Sequence, residues 1–174
     1  MTPRKKQLAI ILACFAVVVC VDQITKAIVM AKFPEFHLVA NKFFQISLQR
    51  NPGIVGGIFR NVPFMAYIAP LLASFVLLYL YRHLEIASKI QSIAYGLVAG
   101  GAVGNYIDRI HLGSVTDFLQ FNFYFIPFNF PWKYYPAFNV ADSCICTGVF
   151  LLIVTWWAST PPREGCEGVK GVKA

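Results

Sequence analysis

Four stretches of this 174-residue chain are each long and apolar enough to cross a lipid bilayer, a pattern that few soluble folds accommodate. A spanning helix needs ~20 predominantly apolar residues. The first stretch runs from Leu8 through Val21 without a charge and continues past Asp22 to Met30. The second, Val62 to Tyr81, is 20 residues with no charge, and the third, Ile90 to Ile107, is 18 uncharged residues rich in glycine. The fourth, Asn139 to Ala158, ends on Trp156 and Trp157, residues suited to a membrane–water boundary. Charged side chains make up 13% of the chain, against ~25% in ordinary globular proteins, too few to cover the surface of a soluble domain this apolar. The composition excludes a disordered chain, a collagen-like chain and a disulfide-built module. It predicts an all-α integral membrane protein with four transmembrane helices at about 8–30, 62–81, 90–109 and 139–158.

The net charge of +7 does not read as a nucleic-acid patch, because the basic residues are dispersed and no base-reading motif accompanies them. Arg4, Lys5, Lys6, Arg82, Lys89, Arg163, Lys170 and Lys173 fall at the N-terminus, in the 82–89 loop and in the tail. Lys32, Lys42, Arg50, Arg60 and Lys133 lie in the opposite loops. The excess of positive charge puts both termini in the cytoplasm. Arg4-Lys5-Lys6 before an apolar run resembles a cleavable signal, but the run continues well past Cys14, so it reads as a retained first helix. The five cysteines form no CxxC or Cys/His set, and neither a disulfide framework nor zinc is expected.

The outer loops are expected at about 31–61 and 110–138. Within the first, Phe43 to Leu48 and then Asn51-Pro52-Gly53 predict short strands and turns, a small sheet lying on the membrane. Residues 121–138 hold ten aromatics together with Pro127, Pro131 and Pro136, a composition that breaks helices and suits the headgroup level. That segment is either a plain aromatic belt or a loop that grips substrate. Gly96, Gly100, Gly101 and Gly104 allow close helix approach, which places the third helix inside the bundle. Residues 1–160 are expected to form one membrane domain, and 161–174 a short disordered cytoplasmic tail.

With helices alternating in direction, the polar residues sort to one side of the membrane. Asp22 lies towards the outer end of the first helix, Asn105, Asp108 and Arg109 end the third, Asp117 follows it, Asn139 and Asp142 open the fourth, and Asn51 is in the first outer loop. Ionisable groups at membrane depth are costly and mark function by default. Asp22 and Lys26 are spaced i, i+4, as are Asn105 and Arg109. Asp117 and Asp142 have no such neighbour. Each also has a structural reading: Asn139 and Asp142 as an N-cap with an acid at the third position, and Asp117 as the cap of a turn. Asp108 and Lys26 read as structural or orienting partners. No Ser/His or Ser/Lys couple is apparent. Two carboxylates brought close share a proton, so one can serve as base on a water while the other polarises a carbonyl.

The motifs Val21-Asp22-Gln23-Ile24-Thr25-Lys26, Asn51-Pro52-Gly53, Gly100 to Arg109, Val115-Thr116-Asp117-Phe118 and Phe138-Asn139-Val140-Ala141-Asp142-Ser143 occur in this order. In them the chain resembles bacterial lipoprotein signal peptidase (signal peptidase II) over nearly its whole length. The resemblance implies an aspartyl endopeptidase of the bacterial inner membrane, with its active site on the periplasmic side. Such enzymes remove signal peptides from diacylglyceryl-modified prolipoproteins, cutting just before the lipidated Cys. It implies Asp117 and Asp142 as the catalytic pair. Asp22, Asn51, Gly53, Asn105, Arg109 and Asn139 are implied as supporting or substrate-binding residues. It also implies a periplasmic β-cradle, sensitivity to globomycin-type inhibitors, and neither cofactor nor metal. The partners expected are the prolipoprotein substrate and membrane lipid, with the enzyme a monomer. Two departures bear on substrate grip: Gly56 stands where the family often has an aromatic, and the 117–142 interval is longer and more aromatic than usual. The rival expectation is a non-enzymatic proton- or ion-coupled carrier, which would spread its acids across the bilayer depth.

Overall fold

The computed structural model describes residues 2–32, 39–40, 43–53, 88–123 and 135–159, together with 68, 72, 75–77, 79 and 81–82. Its elements are helix α1 (Pro3–Lys32), strands β1 (Val39–Ala40) and β2 (Phe44–Asn51), helix α2 (Lys89–Leu112), strand β3 (Val115–Phe121) and helix α3 (Val140–Ser159). At 1.5 Å per residue these helices span roughly 45, 36 and 30 Å, all enough for the hydrocarbon core. Among the described residues two helices, α1 and α3, are long and apolar enough to cross a membrane. α2 has comparable length but carries glycines and amides where the other two carry aliphatic side chains. Most of the stretch 62–81, Gly56, residues 124–134 and the tail lie outside the described residues.

The glycines of α2 explain its place. α2 packs against both α1 and α3, which touch each other far less. Gly96, Gly100 and Gly104 meet Cys14, Val18 and Asp22 of α1 in turn, so α1 and α2 run in the same direction. On another face Gly101 meets Ala141 and Ile145, while Gly148 of α3 meets Ala94, Leu97 and Val98, so α3 runs the opposite way. A Cβ on Gly101 would lie 2.5 Å from the Ala141 carbonyl oxygen, a distance that backbone cannot yield. Small residues thus set the approach on two faces of one helix. Two helices running the same way require the chain between them to return. The described positions between 68 and 82 are helical, and Tyr95 of α2 donates from its hydroxyl to the Leu77 carbonyl at 3.0 Å.

Polar and apolar side chains are distributed inside out. Leu12, Val17, Ile24, Ile28, Phe150 and Ile153 are exposed along the helices, whereas Asp22, Lys26, Asn105, Asp108 and Asn139 are buried. That inversion suits a lipid exterior and an interior assembled from hydrogen bonds. Trp156 and Trp157, 72% and 78% exposed, crown the C-terminal end of α3.

The sheet has order β1-β2-β3 and is antiparallel throughout. β3 was not anticipated: the stretch after α2 reads as an outer loop, yet Val115–Phe121 pairs with β2 from Phe44↔Phe121 to Asn51↔Val115. The β-branched Val115 and Thr116 and the aromatic Phe118 and Phe121 are the signal available in Val-Thr-Asp-Phe-Leu-Gln-Phe. The register shifts between Ile46 and Gln49. α2 ends on Gly113 at φ 68, whose N–H donates to the Arg109 carbonyl at 3.1 Å, and β3 begins two residues later. Beyond β3, the Phe138 N–H donates to the Leu119 carbonyl at 2.9 Å, and the Phe138 carbonyl accepts from Leu119 at 2.8 Å. This pairing delivers the start of α3 to the side of β3.

Candidate active site

Asn139 is where the strand, α2 and α3 meet. It is fully buried and acts as the N-cap of α3. Its Oδ1 accepts from the Asp142 N–H at 2.9 Å, and its own N–H donates to Asp142 Oδ2 at 3.1 Å. Two orphan donors of the first turn are thus satisfied reciprocally. The cap leaves the Asn139 amide nitrogen facing the other way. Nδ2 donates to Asp117 Oδ1 at 2.9 Å, to Asn105 Oδ1 at 3.0 Å and to the Thr116 carbonyl at 3.3 Å. The structural and the chemical readings of Asn139 and Asp142 are therefore compatible. One side chain caps the helix and ties it to Asp117.

Each carboxylate is clamped by amides. Asp117, on β3, accepts from Asn139 at Oδ1 and from Asn51 Nδ2 at Oδ2, 3.0 Å away. Asn51 pairs with Val115, so its side chain reaches Asp117 diagonally along the same sheet face. Asp142 accepts from Asn105 Nδ2 at 2.8 Å in addition to the cap bond. Burial raises the Asp117 carboxyl to about 7, and the neighbouring charge of Asp142 adds to the rise; Asn51, Lys26 and Asn139 pull it down. A carboxyl with that value carries a proton about half the time at neutral pH, which suits general acid or base work.

A second pair of acids lies beneath the first. Lys26, 1% exposed, contacts Asp22 Oδ2 at 2.8 Å, Asp108 Oδ2 at 3.2 Å and Asn105 Oδ1 at 3.0 Å. Asp22 Oδ1 accepts from the Ala141 N–H at 3.0 Å, a further bond to the first turn of α3. Asp108 Oδ2 accepts from the Thr116 N–H at 2.8 Å, fixing the strand one residue before Asp117. Gln23 Nε2 donates to Asp22 Oδ2, Asp108 Oδ1 and the Gly104 carbonyl at 3.1, 3.2 and 3.1 Å. Gln23 and Thr116 were not singled out from the sequence. Both sit inside quoted motifs, which was the only signal for them.

Arg109 is tied to backbone carbonyls beside the pair. Its guanidinium donates to the Asn105 carbonyl at 3.2 Å and to the Gly53 carbonyl at 3.3 Å. Gly53 in turn donates its N–H to Asn51 Oδ1 at 3.0 Å, which fixes the orientation of the Asn51 amide. Arg109 and Gly53 therefore act on Asp117 through the turn that carries Asn51. Among the described residues no group of three His, Cys, Asp or Glu side chains is arranged to hold a metal. The arrangement offers two carboxylates on separate elements, joined through one asparagine whose side-chain amide holds Asp117 and whose backbone N–H holds Asp142.

A family model described as signal peptidase (SPase) II matches residues 14–158. The chain is 39% identical over 157 residues to a lipoprotein signal peptidase of Syntrophotalea carbinolica, covering 87% of this chain and 92% of the relative. It is 41% identical over 152 residues to a lipoprotein signal peptidase of Symbiobacterium thermophilum, covering 84% and 92%. A solved bacterial membrane enzyme superposes with a TM-score of 0.73 at 28% identity, covering 91% of this chain and 94% of that one.

Proposed function

This chain belongs to the signal peptidase II family, and from that premise we propose that Asp117 and Asp142 are its catalytic dyad. It is an aspartic-type lipoprotein signal peptidase, and the carrier reading is not favoured. The observation that carries the assignment of the dyad is the Asn139 bridge, which holds Asp117 at one end and Asp142 at the other. Asp142, at the positive end of α3, is the ionised member and takes a proton from water. The resulting hydroxide oxygen bonds to the scissile carbonyl carbon while Asp117 gives its proton to the carbonyl oxygen. Collapse of the tetrahedral intermediate breaks the C–N bond: one gem-diol hydroxyl returns its proton to Asp117 as the carbonyl re-forms, and the proton on Asp142 passes to the leaving amine. Asp22, Asn105 and Asn139 hold the dyad, and Asn51, Gly53 and Arg109 hold the turn beside it.

The substrate is a diacylglyceryl-modified prolipoprotein, cut before its lipidated Cys, with the lipid tails remaining among the helices. Globomycin-type peptides are expected to occupy the same path. Residues 1–160 form one four-helix domain in the bacterial inner membrane, with both termini cytoplasmic and the sheet and dyad on the periplasmic side. The parallel course of α1 and α2 supports a returning span between them. In a gel-shift assay in detergent, wild type is expected to cleave the modified prolipoprotein, while Asp117→Asn and Asp142→Asn each lose about 10³-fold or more and keep their fold. Near-normal turnover by either variant removes that residue from the mechanism.

A further inference from the structure

The dyad is chemically symmetric, two aspartates, but its supports are not. Asp117 is held by two neutral amides, those of Asn51 and Asn139. Asp142 is held by the Asn139 N–H and by the amide of Asn105, and the oxygen of that amide accepts from the Lys26 ammonium as well as from Asn139 Nδ2. The line Lys26 Nζ–Asn105 Oδ1–Asn105 Nδ2–Asp142 Oδ1 consists of one 3.0 Å and one 2.8 Å bond, entirely inside the bundle. A cation on the oxygen side of an amide polarises it and strengthens the donation from its nitrogen. The same contact fixes which way the amide faces: with Lys26 against Oδ1, only Nδ2 can meet Asp142.

We propose that Lys26 is a positioning residue of the reaction, selecting Asp142 as the ionised member of the dyad through Asn105. The inference rests on Asp117 and Asp142 being the dyad. The three contacts of Lys26 equal the three hydrogens of its ammonium, so its position is fully determined. The charged groups that face it are Asp22 from α1 and Asp108 from α2, with Asp142 on α3 and Asp117 on β3 beyond the Asn105 and Asn139 amides. Arg109 adds a second cation, from α2, and donates to the backbone carbonyls of Asn105 and Gly53. An ion pair that served packing alone would need Asp22 and Asp108; the third bond is the one directed at the reaction.

The test is the pH dependence of kcat/KM for cleavage of diacylglyceryl-modified prolipoprotein in detergent. Lys26→Gln combined with Asp108→Asn removes one charge of each sign and keeps the net charge of the cluster. Its acidic limb is expected to move to higher pH by about one unit, because the dyad then loses its first proton less readily. At pH 6 kcat should fall about tenfold while KM stays within about twofold. Asp108→Asn alone should leave the limb in place. Should the first pair not fold, Lys26→Gln with Asp22→Asn is read instead and should move the limb the same way by a smaller amount, because the Asp22 charge that opposes Lys26 is lost with it. A limb that superposes on wild type, with only a uniform loss of amplitude, assigns Lys26 a purely structural role and overturns the inference. Asp117→Asn and Asp142→Asn run alongside keep the two readings apart. Retained cleavage by either refutes the dyad, whereas two inactive variants with an unmoved limb refute only the role of Lys26.

Discussion

Two pairs of aspartates lie a few ångströms apart at one end of this bundle, and they are held by opposite means. Asp22 and Asp108 share a lysine, at 2.8 and 3.2 Å. Asp117 and Asp142 share an asparagine, at 2.9 and 3.1 Å. A cation between two acids offsets their charge, and the result is a strut that also bears on Asn105. An amide between two acids satisfies their lone pairs without cancelling their charge, so the pair keeps a proton in play. On the proposed assignment, the difference between scaffold and reagent is one cation. Burial alone does not separate scaffold from dyad, for Asp117 is as buried as Asp22 and Asp108, all at or below 3% exposed, while Asp142 is half-buried.

The largest effect that would sharpen this contrast comes from deleting the cation. Lys26→Met leaves two buried carboxylates without a counter-charge and should cost about 3–5 kcal/mol of stability. It is read as a fall in the thermal midpoint in detergent, largely recovered when Asp108→Asn is added. An unchanged midpoint would show that the lower pair is not held by charge.

The next effect belongs to the upper pair and has the opposite origin. The folded state raises Asp117 from 3.8 to about 7. The unfolded chain therefore releases this proton first as pH rises. The contribution of Asp117 to stability is greatest below pH 3.8, declines through the interval up to about 7, and is flat above. Between pH 5 and 8 the decline amounts to about 3 kcal/mol at 1.36 kcal/mol per unit. Asp117→Asn should flatten the midpoint-against-pH curve of the wild type over that interval. Parallel curves would show Asp117 ionised throughout and dissolve the distinction between the pairs.

The smallest effect tests how closely the lower pair is fitted. A Cβ at Gly104 would lie 2.5 Å from Asp22 Oδ2, the oxygen that binds Lys26. Gly104→Ala should cost about 1–3 kcal/mol, the usual range for overpacking, and should disturb the lower pair first. A midpoint within 1 °C of wild type would mean that α1 and α2 can separate there at no cost.

Much of this was legible in the sequence because membrane helices announce themselves by composition and their polar residues by exception. Asp117 and Asp142 stood out for want of a local basic partner, and the glycines of the third stretch pointed to close packing. What was not legible depends on contacts between distant residues. The spacing of Asp22 and Lys26 accounts for one bond of the lysine, whereas the bonds to Asn105 and Asp108 depend on how far α1 slides along α2. The strand carrying Asp117 was hidden for the same reason: its partner Gln49 is far away in sequence, and the register includes a shift that local pattern does not encode.

The cap on α3 ties the integrity of a helix end to the assembly of the reacting groups. The Ala141 and Asp142 N–H groups donate to Asp22 and Asn139, and the Asn139 N–H donates to Asp142. Fraying of that one turn would release all three bonds and carry Asp142 away from Asn105. First turns ordinarily open more readily than any other part of a helix, and their amide hydrogens exchange early with solvent. On the proposed assignment of Asp117 and Asp142, the three protons record how often the dyad is whole, so their exchange lifetime sets an upper bound on how long a bound peptide can wait beside it.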